Sequence, residues 1–101
     1  MQILKPLEKD IEQAFLRKLK KAYPHIRALK FSAIGQRSWP DRILFLSEGR
    51  VLLIEFKRPG GLPTELQEEC HKYLRDMGHD IQVFSNAEEA FNYVKGRVEN
   101  G

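Results

Sequence analysis

The chain has 101 residues, of which 42% are hydrophobic and 31% charged, and its formal net charge is +3. These values predict one globular domain over residues 1–101 with a modest core. Apolar runs are only a few residues long, so we expect no segment to span a membrane. The lone cysteine, Cys70, excludes an internal disulfide and a cysteine-based zinc cluster. No signal peptide is visible, and we expect a cytoplasmic protein.

The charge is distributed unevenly along the chain. Residues 1–58 contain 13 Lys/Arg and 6 Asp/Glu, whereas residues 59–101 contain 4 Lys/Arg and 8 Asp/Glu. The first part therefore has a balance of +7 and the second a balance of −4. A basic surface suits a polyanionic partner such as nucleic acid, although solvated helix faces would produce the same bias.

Periodicity and capping residues divide the chain into elements in the order α-β-β-β-α-β-α. The first helix has apolar residues at spacings of three and four, whereas the strands alternate or form short apolar runs. Thr64 with Gln67 is a capping-box pattern, and Asn86 is a good N-cap for the last helix. The predicted elements are a helix at 7–22, strands at 26–33, 41–47 and 50–57, a helix at 64–77, a strand at 81–84 and a helix at 87–97.

Two charged side chains interrupt the apolar run at residues 51–57. This run is predicted to be a buried strand, and buried strands rarely carry a carboxylate and an amine. Glu55 and Lys57 therefore require partners, a metal ion or water nearby, because burial of unpaired charge is costly. Together with Asp41, they have the composition of a divalent-metal site for cutting phosphodiesters.

The length of the hairpin loop decides whether the two carboxylates meet. A two-residue turn would place Asp41 and Glu55 on opposite faces of the hairpin. A three-residue loop at Ser47–Gly49, with Gly49 in the left-handed conformation, would set Asp41 opposite Glu55. Opposed Cβ atoms in an antiparallel pair are about 4.5–5.5 Å apart, a distance that a small cation can bridge. We therefore predict the three-residue loop, and Lys57 then shares the face by strand alternation.

Mg²⁺ or Mn²⁺ is the cation that these ligands suit, because both ions prefer oxygen. Asp41, Glu55 and the backbone carbonyl of Phe56 would supply protein oxygens and leave positions for water and a phosphate. Lys57 would orient the attacking water and add positive charge beside the scissile phosphate. The alternative is a purely structural ion pair between Glu55 and Lys57, completed by Arg42.

Further side chains are candidates for contact with DNA. Trp39 would either stack on a base or pack in the core. Cationic residues that could contact phosphates are Lys30, Arg37, Arg42 and Arg58. The histidines at 25, 71 and 79 lack metal-ligand spacing, and we expect them at the surface.

Pro40-Asp41 followed by Glu55-Phe56-Lys57 at the end of an apolar strand resembles the signature of the PD-(D/E)xK nucleases. More closely, the chain resembles a stand-alone VRR-NUC (virus-type replication-repair nuclease) domain over nearly its full length. The segments that carry this resemblance are residues 7–12, 30–31, 40–43, 51–61 and 66–67, with the terminal strand and helix.

The resemblance implies a restriction-endonuclease-like α/β fold, a central mixed sheet flanked by helices, and a single nuclease domain. It implies Mg²⁺- or Mn²⁺-dependent cleavage of DNA, including branched DNA such as four-way junctions, in replication, recombination or repair. Stand-alone forms act as homodimers, and the setting would be a bacterial or a virus-infected host cell. A non-catalytic nucleic-acid-binding module on the same fold is the alternative.

The resemblance also assigns roles to individual residues. Asp41 and Glu55 match the metal ligands, and Lys57 matches the catalytic lysine. Gln67 matches a glutamine that supports the site. Glu8 matches the acid of the first helix, which would reach the metal directly or through water. Glu12 is the alternative to Glu8, because residues four apart share one face of a helix.

Overall fold

The computed structural model describes residues 6–31 and 38–100. Its elements follow the predicted order α-β-β-β-α-β-α, and a short loop, Ser47–Gly49, joins the second and third strands. The elements are α1 (Glu8–Ala22), β1 (Ala28–Lys30), β2 (Arg42–Phe45), β3 (Val51–Phe56), α2 (Glu65–Asp76), β4 (Asp80–Phe84) and α3 (Ala87–Glu99). The end of the predicted strand 26–33 and the predicted phosphate contact Arg37 lie outside the described residues.

The four strands of the described ranges form one mixed sheet in the order β1-β2-β3-β4. The β1–β2 and β2–β3 pairs are antiparallel, whereas β3 and β4 are parallel. β3 has a neighbour on each side, which explains its continuous apolar sequence and the burial of residues 52–56. The predicted α/β fold with a central mixed sheet is thus confirmed.

Helices cover both faces of the sheet. Side chains of alternate β3 residues point to opposite faces, so Leu52, Ile54 and Phe56 join one core cluster with α1 and α3. Leu53 joins the second cluster, with Leu74 of α2 and Ile81 of β4. The odd-numbered face of β3, which includes Glu55, is therefore the face that α2 covers.

The β2–β3 hairpin has the predicted register. Arg42 pairs with Ile54 and Phe45 with Val51, so the next pair toward the open end sets Asp41 opposite Glu55. At the closed end, the N–H of Leu46 donates to the carbonyl of Arg50 at 2.9 Å around the loop Ser47–Gly49. Gly49 has the positive φ that we predicted, 71°, but Glu48 is also left-handed, at φ 63°.

Within residues 6–31 and 38–100, every helix is too short or too polar to span a bilayer.

Candidate active site

Asp41 immediately precedes β2, at the open end of the β2–β3 hairpin. Its Oδ2 accepts a hydrogen bond from the backbone N–H of Phe56 at 2.7 Å. This bond crosses from one strand to the other and holds the carboxylate against the end of β3. A half-buried carboxylate is tolerated there because a backbone donor satisfies one of its oxygens.

The pKa of Asp41 is raised above its usual value. Burial is the largest cause, the hydrogen bond from Phe56 opposes it, and the charges of Glu55, Glu12 and Glu8 raise the pKa further. Each of these carboxylates is therefore near enough to repel Asp41 electrostatically. Such a concentration of negative charge suits a cation.

Glu55 is almost completely buried, with 1% of its surface exposed. Its Oε1 lies 3.0 Å from Nε2 of His71, and its Oε2 lies 3.3 Å from Nζ of Lys57. Oε2 is within ion-pair distance of Lys57 but makes no aligned hydrogen bond. Oε1 is thus held by His71, whereas Oε2, on the side of Lys57, has lone pairs that could coordinate a cation.

His71 is a site residue that the sequence analysis missed. We expected it at the surface, but only 2% of its area is exposed. It lies on the side of α2 that faces the sheet, where its ring contacts Glu55. Its helical position carries the signal that would have found it. His71 is three residues before the buried Leu74 and four after Gln67, so it lies on the inward face of α2.

Lys57 connects the end of β3 to the start of α1. Its side chain is 13% exposed, and its Nζ lies 3.9 Å from Oε1 of Glu8 as well as 3.3 Å from Glu55. Glu8 is 49% exposed at its side chain. The ammonium group therefore lies between a buried and an accessible carboxylate.

Glu12 has a different partner from Glu8. Its Oε2 accepts a hydrogen bond from Nε of Arg42, whose Nη1 also donates to the carbonyl of Ala28 at 3.0 Å. This part-buried ion pair ties α1 to β1 and β2 and compensates the charge of Glu12. Arg42, which we predicted as a phosphate contact or as a partner of Glu55, is instead engaged with Glu12.

Two of the remaining candidate DNA contacts are exposed and one is half-buried. Lys30 is exposed at the end of β1, and Arg58 is exposed two residues beyond the end of β3. Trp39 is half-buried, and its ring packs against Phe31 at 5.5 Å and edge-to-face against Tyr73 at 6.4 Å between centroids. Trp39 therefore packs against other aromatic side chains, as one of the two predicted alternatives required.

Gln67 takes part in the predicted capping box at the start of α2. Its Oε1 accepts a hydrogen bond from the backbone N–H of Thr64 at 2.8 Å, and its own N–H donates to Oγ1 of Thr64 at 3.2 Å. The side-chain bond of Gln67 thus serves the helix terminus. Its predicted support of the metal site stays a prediction.

The residues that are brought together fit a magnesium-type ion. No group of three or more His, Cys, Asp or Glu side chains within 6–31 and 38–100 has the geometry of a metal cluster. Mg²⁺ does not need such a cage, because it keeps several waters and uses one or two carboxylates. Asp41 and the available Oε2 of Glu55 meet that requirement, and the carbonyl of Phe56 is the remaining predicted ligand.

The mixed sheet with helices on both faces and the charged hairpin end define a restriction-endonuclease-like α/β domain. Solved structures that share this fold include the following two. A "VRR_NUC domain" superposes with a TM-score of 0.71 at 19% identity, over 84% of this chain and 95% of that one. A "VRR_NUC domain protein" superposes with a TM-score of 0.77 at 18% identity, over 97% and 93%. The predicted resemblance is confirmed: the chain has the fold of a VRR-NUC domain.

Sequence comparison gives one further relative. The chain is 37% identical over 59 residues to "Putative nuclease p44" of Acyrthosiphon pisum secondary endosymbiont phage 1. The match spans 58% of this chain and 63% of the phage protein, which is less than two thirds of its length. No family model matches the chain.

Proposed function

We propose that this protein is a metal-dependent endonuclease that hydrolyses phosphodiester bonds in DNA. The observation that carries the proposal is the placement of Asp41 opposite Glu55, with Nζ of Lys57 at 3.3 Å from Oε2 of Glu55. The VRR-NUC fold and the similarity to a phage protein named as a nuclease support it. A pure binding module would have no need of a buried, incompletely satisfied carboxylate.

The proposed chemistry divides between the cation and the protein. When bound, Mg²⁺ or Mn²⁺ would neutralise charge on the phosphate and acidify the attacking water. Asp41, Glu55 and the Phe56 carbonyl would hold the cation, and Glu8 would reach it directly or through water. The N–H of Phe56 keeps Asp41 in place. Lys57 would orient the water and stabilise developing negative charge on the phosphate oxygens.

We further propose a substrate with a branch or four-way junction, cut by a homodimer. Cleavage of a junction requires two active sites that face two strands, and a two-fold symmetric dimer provides them. The resemblance to stand-alone VRR-NUC domains supports this proposal. Exposed Lys30 and Arg58 beside the site would contact the phosphate backbone.

The test is cleavage of a panel of DNAs. Plasmid, nicked, single-stranded and four-way-junction DNA are incubated with the protein in Mg²⁺, in Mn²⁺ or in EDTA, with Asp41→Asn as the inactive control. We expect cleavage in either cation, fastest for the junction, and none in EDTA or by the variant. The molar mass in solution tests the dimer.

Two results would contradict the proposal in different ways. Binding of DNA without cleavage of any substrate would favour the non-catalytic module. Cleavage that persists in EDTA or in Asp41→Asn would show that the cation and this site are not required.

A further inference from the structure

The buried contact between His71 and Glu55 has a defined hydrogen-bonding direction. Both residues are at most 2% exposed, and Nε2 of His71 lies 3.0 Å from Oε1 of Glu55. An ionised carboxylate, the form that ligates a cation, can only accept hydrogen bonds, so a bond to it from His71 requires the proton on Nε2. The Nε2–H form of the imidazole is therefore the one that fits this site.

This donor restricts a carboxylate that would otherwise rotate. The terminal torsion of glutamate is broad, so burial alone does not select the direction of its two oxygens. With Oε1 bound to His71, Oε2 must face the opposite side, where Lys57 lies at 3.3 Å. The oxygen that lacks an aligned hydrogen bond is thus the one turned toward Lys57 and the open end of the hairpin.

We propose that His71 is a positioning residue that orients Glu55 so that Oε2 is presented to the divalent cation. The inference rests on the proposed function, since it assigns Glu55 as a ligand. It adds a role for α2, because this helix supplies the donor that fixes a ligand on β3. Partners of this kind, which hydrogen-bond to a metal-ligating carboxylate, typically change metal affinity or activity by about 10–100-fold when they are removed.

Two polar substitutions at this position separate orientation from mere filling of space. The amide nitrogen of glutamine in His71→Gln reaches approximately as far as Nε2 and restores the donor. The shorter side chain in His71→Asn reaches only as far as Nδ1 and leaves Oε1 without one. His79→Asn is the matched control, because His79 is an exposed histidine after the end of α2.

The primary readout is Mn²⁺ affinity, measured by electron paramagnetic resonance titration without DNA. We expect wild type, His71→Gln and His79→Asn to bind with similar affinity, and His71→Asn to bind about 10–100-fold more weakly. In cleavage assays the same loss should appear as a higher Mg²⁺ requirement, with recovery of the rate at saturating Mg²⁺. Equal Mn²⁺ affinity in His71→Asn and wild type would overturn the proposal.

A measurement on the wild-type protein covers the case in which His71→Asn fails to fold. Nitrogen-15 NMR of the imidazole should report a proton on Nε2 of His71, and its resonance should move on Mg²⁺ saturation while that of His79 does not. A proton on Nδ1 alone, or no response to Mg²⁺, would overturn the assignment. Absence of Mn²⁺ binding by wild type would instead contradict the proposed function itself, so the two failures are distinguishable.

Discussion

The carboxylate of Asp41 and the backbone N–H of Phe56 are joined by a 2.7 Å hydrogen bond across the β2–β3 pair. The bond places Asp41 at the end of the strand that carries Glu55. It also reduces the cost of a carboxylate that burial and three neighbouring carboxylates make unfavourable. The candidate site is therefore a region where the metal-free protein concentrates negative charge at the expense of stability.

Asp41→Asn should stabilise the metal-free protein. Burial and the neighbouring acids raise the pKa of Asp41 above 3.8, so the folded state prefers the protonated form. The stability that protonated Asp41 contributes is fully present below its pKa in the unfolded chain. It is lost as pH rises through its pKa in the folded protein. Asparagine keeps an acceptor for Phe56 and cannot ionise. In EDTA, the melting temperature of the variant minus that of wild type should grow as pH rises above 3.8.

A divalent cation should reverse that difference. A ligand that binds only the folded state at about 100 times its Kd contributes about 2.7 kcal/mol, and Mg²⁺ or Mn²⁺ should stabilise wild type but not Asp41→Asn. Equal stabilisation of both proteins by the cation would remove Asp41 from the ligand set.

Gly49→Ala should destabilise the hairpin that sets the register. Gly49 has φ 71°, and an added Cβ meets no atom within 4 Å, so the penalty is purely conformational. We expect a loss of about 1–2 kcal/mol in the free energy of unfolding. Gly96→Ala is the control of opposite sign, because Gly96 lies inside α3 with open space around it and should gain about 0.5–1 kcal/mol. Denaturant titration measures both, and a neutral Gly49→Ala would contradict the loop geometry.

Substitutions of Glu8 and Glu12 should separate chemistry from stability. Glu12→Gln leaves the part-buried Arg42 without its counter-charge and should cost about 1–3 kcal/mol. Glu8→Gln, at a half-exposed side chain, should change stability by less than about 0.5 kcal/mol. We expect only Glu8→Gln to lower cleavage when both variants are assayed well below their melting temperatures. The reverse pattern would make Glu12 the acid of the first helix.

Gln67→Ala and Gln67→Glu should distinguish the capping role of Gln67 from support of the metal site. Alanine removes the acceptor for the Thr64 N–H, and loss of a helix cap costs about 0.5–2 kcal/mol. Glutamate retains that acceptor and should preserve stability. If Gln67 also supports the site through its amide, Gln67→Glu should cleave more slowly than wild type although it is equally stable. Unchanged cleavage in both variants would leave only the capping role.

The sequence predicts the parts of this site that depend on local patterns. Alternation and the position of Gly49 were sufficient to place Asp41 opposite Glu55, because the register of a hairpin is set by its loop. The capping box at Thr64 and Gln67 was equally predictable, because both residues lie within one helical turn.

Contacts between distant elements were not predictable in the same way. The pairing of Glu12 with Arg42 and that of His71 with Glu55 join residues that meet only after helices pack on the sheet. The inward face of α2 would have suggested a buried His71, but no local rule names Glu55 as its partner. The left-handed conformation of Glu48 was missed because non-glycine residues rarely adopt it.

We propose that Lys57 acts in the chemistry of a metal site formed by Asp41 and Glu55. The most direct test of this role is Lys57→Ala, assayed for both cleavage of a four-way junction in Mg²⁺ and binding of Mn²⁺. The control is Lys72→Ala, because the side chain of Lys72 is 78% exposed. We predict that Lys57→Ala loses about 10²–10³-fold in cleavage rate while it binds Mn²⁺ at least as tightly as wild type, and that the control is unchanged. Cleavage by Lys57→Ala at the wild-type rate would contradict a catalytic role for Lys57.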